Sequence, residues 1–398
     1  MPARASLPLS EIKILDFSRL LPGPWCTQLL GDLGAEVIKV ENPEGGDPSR
    51  HNPPLYREMS AYFASVNGNK SSLTLNLQAP GAREVLERLV HWADVVVESF
   101  SVGAAARLGV DYESLRALKP SLIYCSLSGF GQSGPLAQVP GHDLVIQAAC
   151  GNLNAAPETM PSFQAGDFAA ASMAAIGILS AIRRRDRSGE GAYLDIAMYD
   201  SLMAMGNIAL GPALSRAGGG TGLPVVQVWG SNPRYNLYRS RDGKPVAVCL
   251  LEARLWRKFC EVIGRADLIF HDETAADRHS DHGTRGALYR EGISAFCAAH
   301  DRDELVALMA EHDLPVMAVH SGDEALAHRH TQARGLVRRI EHPQEVEIPE
   351  LVNPLHPTGL VRERRKPAPM LGADTDDVLE MLGYGPEDRR ALRAAQVV

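Results

Sequence analysis

The chain has 398 residues, of which 45% are hydrophobic and 22% charged, a composition typical of a folded globular protein with ample core material. Its formal net charge of −8 argues against a nucleic-acid-binding protein, because such proteins usually present a basic face. The length indicates two domains, at roughly 150 residues each.

The cysteines and the first residues indicate a cytoplasmic protein. Six cysteines lie far apart without a C-x-x-C pair, which favours reduced thiols over a disulfide framework. Residues 1–11 contain no apolar segment of a secretion signal. No uninterrupted apolar stretch reaches the roughly 18 residues needed to cross a bilayer, so we expect no membrane partner.

The first 130 residues alternate between strand-like and helix-like patterns. The predicted elements are, in order, a strand at 12–17, a helix at 25–33, a strand at 35–40, a strand at 72–77, a helix at 81–92, a strand at 94–98, a helix near 112–117 and a strand at 121–126. Pro22-Gly23-Pro24 is predicted as a turn, and Gly34 as the end of the first helix. Strands that alternate with helices indicate a mostly parallel sheet covered on both faces.

The second half of the chain is mainly helical. The predicted elements are helices over 173–214 with a break at 187–191 and a short strand at 193–196, a glycine-rich linker at 218–222, a hairpin over 235–250, helices to about 330, and a proline-rich extended tail that ends in a helix at 374–382. We therefore predict an α/β fold with three segments. Residues 1–215 begin a large domain, residues 225–330 form a smaller α+β domain, and residues 331–398 return to the large domain.

Two further patterns have ordinary explanations. Gly129-Phe130-Gly131-Gln132-Ser133-Gly134 matches the G-x-G-x-x-G fingerprint of dinucleotide sites, but Pro135 follows at once and no helix begins there, which favours a chance glycine loop. A polar cluster with three histidines could indicate a metal, but its spacing fits no zinc motif and favours a surface loop. This cluster consists of His271, His279, Asp281 and His282.

Three ionisable residues could carry chemistry: His142 in Gly-His-Asp, Asp167 in Gly-Asp-Phe and Glu252 in Leu-Glu-Ala. A histidine and two carboxylates are suited to moving a proton on and off carbon. Taken singly, each also has a structural interpretation, since His142 and Asp167 could cap helices and Glu252 precedes one. The residues around them decide between these interpretations.

Six sequence segments are similar to those of the class III CoA-transferase and α-methylacyl-CoA racemase superfamily, the CaiB/BaiF type. They are residues 15–24 with 34–41, 68–77, 93–100, 128–135, 189–195 and 367–372. The resemblance covers nearly the whole chain. It implies a large Rossmann-like parallel-sheet domain and a smaller α+β domain, with two chains interlocked as a homodimer.

The resemblance also implies an acyl-CoA thioester substrate, with coenzyme A carried as part of it and with no separate cofactor or metal. The family positions for CoA binding fall on one lysine, one strand end and the segment around the histidine. In this chain they are Lys39, Leu75, Asn76, Leu77, Gln78, Gly141, Asp143, Leu144, Val145 and Ile146. Two basic positions of the family are absent, near residues 67–70 and 99–103, which bears on CoA affinity.

Two reactions are consistent with these residues. In the racemase branch, His142 and Asp167 remove and return the α-proton of a 2-methyl-branched acyl-CoA through an enolate, and Glu252 tunes the histidine. In the transferase branch, Asp167 attacks the thioester carbonyl as a nucleophile and CoA passes to another carboxylic acid. His142 favours the racemase, since transferases commonly have an aromatic residue there, although the chain length is typical of transferases. A third interpretation is a protein that binds CoA thioesters without catalysis.

Overall fold

The computed structural model describes residues 7–153, 160–220, 231–274, 277–278, 280–342, 346–363 and 365–398. The chain divides into two compact units. The large unit comprises Met1–Gly206 and Gln332–Val398, and the small unit comprises Asn207–Thr331.

The strands are β1 (Lys13–Asp16), β2 (Glu36–Glu41), β3 (Leu55–Tyr56), β4 (Met59–Ser60), β5 (Lys70–Thr74), β6 (Val95–Glu98), β7 (Ile123–Ser128), β8 (Ala192–Ala197), β9 (Tyr235–Arg239), β10 (Pro245–Cys249), β11 (Val316–Ala318), β12 (Val337–His342) and β13 (Val346–Leu351). The helices are α1 (Pro22–Asp32), α2 (Ala61–Val66), α3 (Ala82–Trp92), α4 (Ala104–Leu108), α5 (Tyr112–Leu118), α6 (Asp143–Ala149), α7 (Ala165–Ser188), α8 (Met198–Met205), α9 (Gly211–Ala217), α10 (Ala253–Val262), α11 (Thr284–Ala299), α12 (Arg302–Glu311), α13 (Gly322–Ala327), α14 (Arg329–Ala333), α15 (Thr375–Met381) and α16 (Pro386–Ala394). Short 3₁₀ turns lie at Pro48–His51, Ala266–Leu268 and His356–Thr358.

Six strands of the large unit form one parallel sheet in the order β5-β2-β1-β6-β7-β8. Strand β1 is central, with Leu15 paired to Ile38 of β2 and to Val96 of β6. An order that grows outward on both sides of the first strand is that of doubly wound folds, so the predicted parallel α/β sheet is confirmed. In such folds ligands bind outside the carboxyl ends of the strands, where Asp16, Glu41 and Glu98 lie here.

Each face of the sheet is covered by its own set of helices. Because successive residues of a strand point to opposite faces, Ile14 packs in one core with Leu30 of α1, whereas Leu15 packs in the other. That second core contains Leu86 of α3 and Leu379 of α15. The tail after residue 332 thus completes the large unit.

The tail also covers the edge strand β5. The Ser72 N–H donates to Asp374 Oδ2 at 2.7 Å, and the Thr74 N–H donates to Thr375 Oγ1 at 3.1 Å. Just after the end of β5, the Asn76 N–H donates to the Val397 carbonyl at 2.8 Å. Unpaired N–H groups of an edge strand invite pairing with another chain, and the tail satisfies them here.

The small unit is built around a three-stranded antiparallel sheet in the order β11-β10-β9. Strands β9 and β10 form the hairpin predicted over 235–250, and Gly243 in its turn adopts a φ of +76°. Trp256 of α10 stacks on Phe259 and packs against Tyr289 of α11 in the core below the sheet.

Several elements differ from the prediction, and three of the differences have a clear origin. Helix α1 begins at Pro22 rather than at residue 25, because proline fits the first position of a helix, where the N–H has no partner. Helix α7 begins at Ala165, eight residues earlier than expected, since its first turns consist of small residues without an apolar stripe. The tail contains the hairpin β12–β13 and helix α16 in addition to the predicted helix.

Helix α7 is, within the described residues, the one helix that is long and apolar enough to cross a membrane by length and composition. One such helix is weak evidence for a span, because a core helix meets the same criterion, and half of its apolar window is buried. Ala170, Ala171 and Ala174 are fully buried, and α7 packs against α1, β7 and β8. The contacts are those of a core helix of the large unit.

Candidate functional site

Two of the predicted site residues lie at neighbouring helix starts in the large unit. His142 is the exposed N-cap residue of α6, and its side chain makes no capping hydrogen bond. Asp167 is the third residue of α7, and Gln164 is the N-cap residue there. The sequence allows Asp167 to be a helix cap, but in the structure it lies inside the first turn. A carboxylate in this position interacts favourably with the positive end of the helix dipole.

A hydrogen bond joins the two segments beside these residues. Asp143, which follows His142, accepts a hydrogen bond at Oδ1 from the Gly166 N–H, which precedes Asp167, at 2.7 Å. The Asp143 Oδ2 accepts from the Gln147 amide at 2.6 Å, and that amide also donates to the Phe163 carbonyl at 2.9 Å. Asp143 and the buried Gln147 thus hold the first turn of α7 against α6.

Gly141 brings the backbone before His142 close to the glycine loop. A Cβ on Gly141 would lie 3.0 Å from the Gly129 Cα, closer than nine in ten real Cβ contacts. The loop therefore has a packing role, since a side chain at Gly129 or Gly141 would require the facing backbone to shift. The next helix after the glycine loop, α6, begins only at Asp143.

The environment of Asp167 disfavours its charged form. Burial and the nearby Asp143 charge raise the pKa of Asp167 to about 7. Tyr62 of α2 lies close enough that burial and the charge of Asp167 raise the pKa of its phenol above the ordinary range. Strongly shifted carboxyl groups are common at catalytic sites.

Aromatic rings line the start of α7. The Phe168 ring stands edge-on to Trp25 of α1, with centroids 4.9 Å apart, and stacks on Phe163 at 4.9 Å. The residue that follows Asp167 is thus packed among aromatic side chains.

Glu252 belongs to the small unit. It is the exposed N-cap residue of α10, and its Oε1 binds Arg278 Nη2 at 2.6 Å. Its carboxylate therefore has a partner in its own unit, and the tuning of His142 by Glu252 stays a prediction.

A first cavity of 310 Å³ lies at the carboxyl edge of the sheet. Its wall contains the predicted Lys39 and residues 75–78, together with Arg19 and Phe100. The Arg19 guanidinium faces the Phe100 ring, 5.5 Å from its centroid. Sequence reasoning did not single out Arg19, although it comes soon after the carboxyl end of β1, where ligands of such folds bind.

Lys39 is not free to meet a ligand directly. Its Nζ is fully buried, lies 3.0 Å from Asp47 Oδ2 and donates to the Ser18 carbonyl at 2.8 Å. Burial opposes its charge, but Asp16, Asp47 and Glu41 raise the pKa of Lys39 above the ordinary value. We conclude that Lys39 shapes the cavity wall by holding Asp47.

A second buried ion pair lies beside it, between Lys70 Nζ and Asp16 Oδ2 at 2.8 Å. Burial opposes the charge of Asp16, but Lys70 and Lys39 hold the pKa of this carboxyl well below its ordinary value. Burial lowers the pKa of Lys70 to about 8 despite the attraction of Asp16. The two pairs form a compact charge network under the first cavity.

The segment of residues 67–70 faces the protein interior. Lys70 also donates to Asn67 Oδ1 at 2.8 Å, and the Asn69 amide donates to Asp32 Oδ1 at 2.8 Å. None of the four residues is among the described residues that line the first cavity. The segment binds the tail instead, since the Lys366 N–H donates to Asn69 Oδ1 at 2.8 Å.

Within the described part of the chain, no group of three or more His, Cys, Asp or Glu side chains could hold a metal ion. His279 of the predicted polar cluster lies outside the described residues.

Comparison with known proteins identifies the family. A model of CoA-transferase family III matches residues 9–375. The chain is 33% identical to a succinate–glutarate CoA-transferase of Agrobacterium fabrum, over 96% of this chain and 97% of that protein. It is 34% identical to an acetyl-CoA:oxalate CoA-transferase of Acetobacter aceti, over 75% and 78%.

A solved structure agrees with these sequence matches. The crystal structure of a CaiB/BaiF family protein from Brucella suis superposes with a TM-score of 0.80 at 29% identity, covering 95% of this chain and all of that one. The resemblance noted from the sequence motifs is therefore confirmed. The chain belongs to CoA-transferase family III.

Proposed function

We propose that this protein is a CoA-transferase that moves coenzyme A from an acyl-CoA thioester to a carboxylic acid, with Asp167 as the nucleophile. The family match and the relatives, which are named as CoA-transferases, support this reaction. The sequence alone favoured the racemase because of His142, and the comparisons support the transferase better.

In the proposed reaction, an Asp167 carboxylate oxygen attacks the thioester carbonyl, the CoA thiolate leaves, and a mixed anhydride forms. The thiolate then attacks the aspartyl carbonyl, the donor acid departs, and Asp167 carries CoA as a thioester. The acceptor acid repeats the two steps in reverse order, which forms the new acyl-CoA and regenerates the carboxylate. Every bond broken is replaced by one formed, and no further reactant is needed.

The observation that carries the proposal is the position of Asp167 in the first turn of α7, with its backbone held by Asp143 through Gly166. A fixed carboxyl group can be aligned with a reacting carbonyl, which is a large part of intramolecular rate acceleration. Its raised pKa also makes the carboxylate more basic than an ordinary aspartate.

We propose that the first cavity receives the nucleotide end of coenzyme A. Its place at the carboxyl edge of a doubly wound sheet is where nucleotides bind in such folds. Residues 75–78 lie on its wall and agree with the positions that the resemblance assigns to CoA. No other cofactor is required by the proposed reaction.

A second candidate function is α-proton exchange. His142 favours it, because the exposed imidazole has no capping hydrogen bond to hold it and can act as a base. In that reaction His142 and Asp167 would act on opposite faces of the α-carbon.

We also propose that two copies of the chain assemble in the cytoplasm. Ile176 and Leu179 of α7 are exposed apolar side chains, 54% and 37% accessible, which supports a second copy as partner. The six cysteines are free thiols, as in a reducing compartment. Light scattering during gel filtration measures the number of copies.

The deciding experiment incubates the purified protein with one enantiomer of a 2-methylacyl-CoA in D₂O, first without and then with a free carboxylic acid. We expect no α-deuterium in the first stage and CoA transfer in the second. Substitution Asp167→Asn should lower the transfer rate by about 10³-fold or more. His142→Ala, the matched variant, should retain transfer within about tenfold.

Trapping identifies the nucleophile directly. Hydroxylamine added during turnover should convert Asp167 to a hydroxamate, seen as a mass change in the peptide that contains it. Deuterium uptake with loss of configuration in the absence of an acceptor would contradict the transferase and establish the racemase.

A further inference from the structure

The large unit contains a second cavity, of 530 Å³, between α1, α2, the start of α7 and the hairpin β12–β13. Its wall is mainly apolar and aromatic. Side chains that contribute to it are Trp25, Leu29, Tyr62, Phe168, Ile340 and Ile348. Volume and lining are those of a small-molecule pocket.

This second cavity adjoins the proposed nucleophile. Phe168, the residue after Asp167, is part of its wall, and so is Gln164 at the start of the same helix. Tyr62 is also on the wall, and the charge of Asp167 acts on its phenol. A group attached to a carbonyl at Asp167 can therefore extend into this space.

The basic groups on the wall are already in use. Arg365 binds Asp32 through Nε and Nη2, at 2.8 and 2.6 Å, and Glu350 through Nη1 at 2.9 Å. His342 Nε2 lies 3.0 Å from the Ala368 carbonyl, and burial lowers the pKa of His342, so its ring is neutral near pH 7. These two are the basic side chains among the described residues of the wall.

The charge balance separates two classes of acid. A second carboxylate placed in this cavity would find no free cation among the described residues of the wall. It would also lose its water, which weakens binding of the charged form or forces protonation. An apolar chain there would gain about fourfold in affinity for each buried methylene.

We propose that the second cavity holds the acyl chain, and that the acids served by this protein are monocarboxylic acids with an apolar or aromatic chain rather than dicarboxylic acids. The proposal rests on the proposed transferase, since Asp167 anchors the carbonyl. It names the substrate class of that same site.

Binding of acyl-CoA thioesters tests the cavity independently of catalysis. Calorimetric titration of the Asp167→Asn variant, which cannot form the enzyme thioester, with octanoyl-CoA, phenylacetyl-CoA, succinyl-CoA and free CoA gives four dissociation constants. We expect octanoyl-CoA and phenylacetyl-CoA to bind about tenfold or more tightly than succinyl-CoA, equivalent to at least two buried methylenes. Equal or tighter binding of succinyl-CoA would overturn the proposal.

Two variants locate the effect. Ala64 lies on the cavity wall, so Ala64→Leu should reduce the advantage of octanoyl-CoA to below about threefold while leaving free CoA unchanged. Ala117→Leu, on the exposed side of α5, is the matched control and should change nothing. Ile340→Ala enlarges the cavity and should favour longer chains, which keeps the test valid if Ala64→Leu does not fold. Equal weakening of every thioester by Ala64→Leu would also overturn the proposal.

Turnover is measured separately, with acetyl-CoA as donor and octanoate, phenylacetate, succinate and glutarate as acceptors. Transfer to none of these acids would contradict the proposed function. The binding constants would still show whether the second cavity holds an apolar acyl chain. Transfer that favours the dicarboxylates would overturn the cavity proposal and leave the transferase intact.

Discussion

Asp143 Oδ1 accepts a hydrogen bond from the Gly166 N–H at 2.7 Å, so a single carboxylate fixes the backbone beside Asp167 and also acts on its charge. A neutral side chain at 143 would keep part of the hydrogen bonding and remove the repulsion. This relationship makes the acidity of Asp167 adjustable by one substitution.

The transfer rate should depend on the ionisation of Asp167. Since burial and Asp143 raise its pKa to about 7, kcat/KM should fall about tenfold per pH unit below 7 and level off above it. Asp143→Asn removes the repulsive charge, so the acidic limb of the kcat/KM profile, where the rate falls, should move to lower pH. The check is a profile of kcat/KM from pH 5 to 9 for both proteins. A limb that stays in place in the variant would contradict the assignment.

The same raised pKa predicts a cost in stability. The folded state holds the proton of Asp167 more tightly than the unfolded chain does, so this contribution is full below the unfolded pKa of 3.8 and is lost as the pH rises to about 7. Asp167→Asn should therefore stabilise the protein by about 1–3 kcal/mol at pH 8. Urea unfolding at pH 8 measures this, and the difference should shrink at pH 5.

The buried pair of Lys70 and Asp16 should show strong coupling. Lys70→Met leaves the Asp16 carboxylate buried without its partner and should cost about 3–5 kcal/mol of unfolding free energy. The double variant Lys70→Met with Asp16→Asn should recover much of that loss, because no charge then remains unpaired. Additive losses in the double-variant cycle would show that the two side chains act independently.

Arg19 should contribute to CoA affinity. It lines the first cavity, whereas the ammonium of Lys39 is bound to Asp47. Arg19→Gln should weaken the binding of free CoA about fivefold, equivalent to about 1 kcal/mol for an exposed charge pair. Arg116→Gln, an exposed residue on α5, is the control. Unchanged CoA affinity in Arg19→Gln would place the phosphates elsewhere.

The sequence predicted the sheet well because its strands are buried on both faces and appear as short apolar runs, such as Val95–Glu98. Gly34 was recognised as a helix end because glycine readily adopts the left-handed conformation that follows many helices. Its φ of +115° in the structure agrees with this reason. The start of α7 was missed, since its alanines pack by their small size and leave no periodic signal.

The candidate site residues were predicted from their local motifs, whereas the contacts that hold them were not. Gln147 lies four residues from Asp143, but its second contact, to the Phe163 carbonyl, depends on tertiary structure. Tyr62 and Asp167 are 105 positions apart in sequence. The pairing of Lys39 with Asp47 is likewise invisible in a motif, which shows a basic residue but not whether its charge is free.

The tail that covers β5 also sets the order in which the chain can fold. Asp374 and Thr375 follow Ser72 and Thr74 by some 300 positions, and Arg365 follows Asp32 by 333. During synthesis the whole small unit leaves the ribosome before Arg365, Asp374 and Thr375 do. The large sheet must therefore wait with an open edge and with Asp32 still lacking its ion-pair partner Arg365, and contacts this distant in sequence make folding slow. The large unit can therefore be completed only late in folding, after the tail has been synthesised.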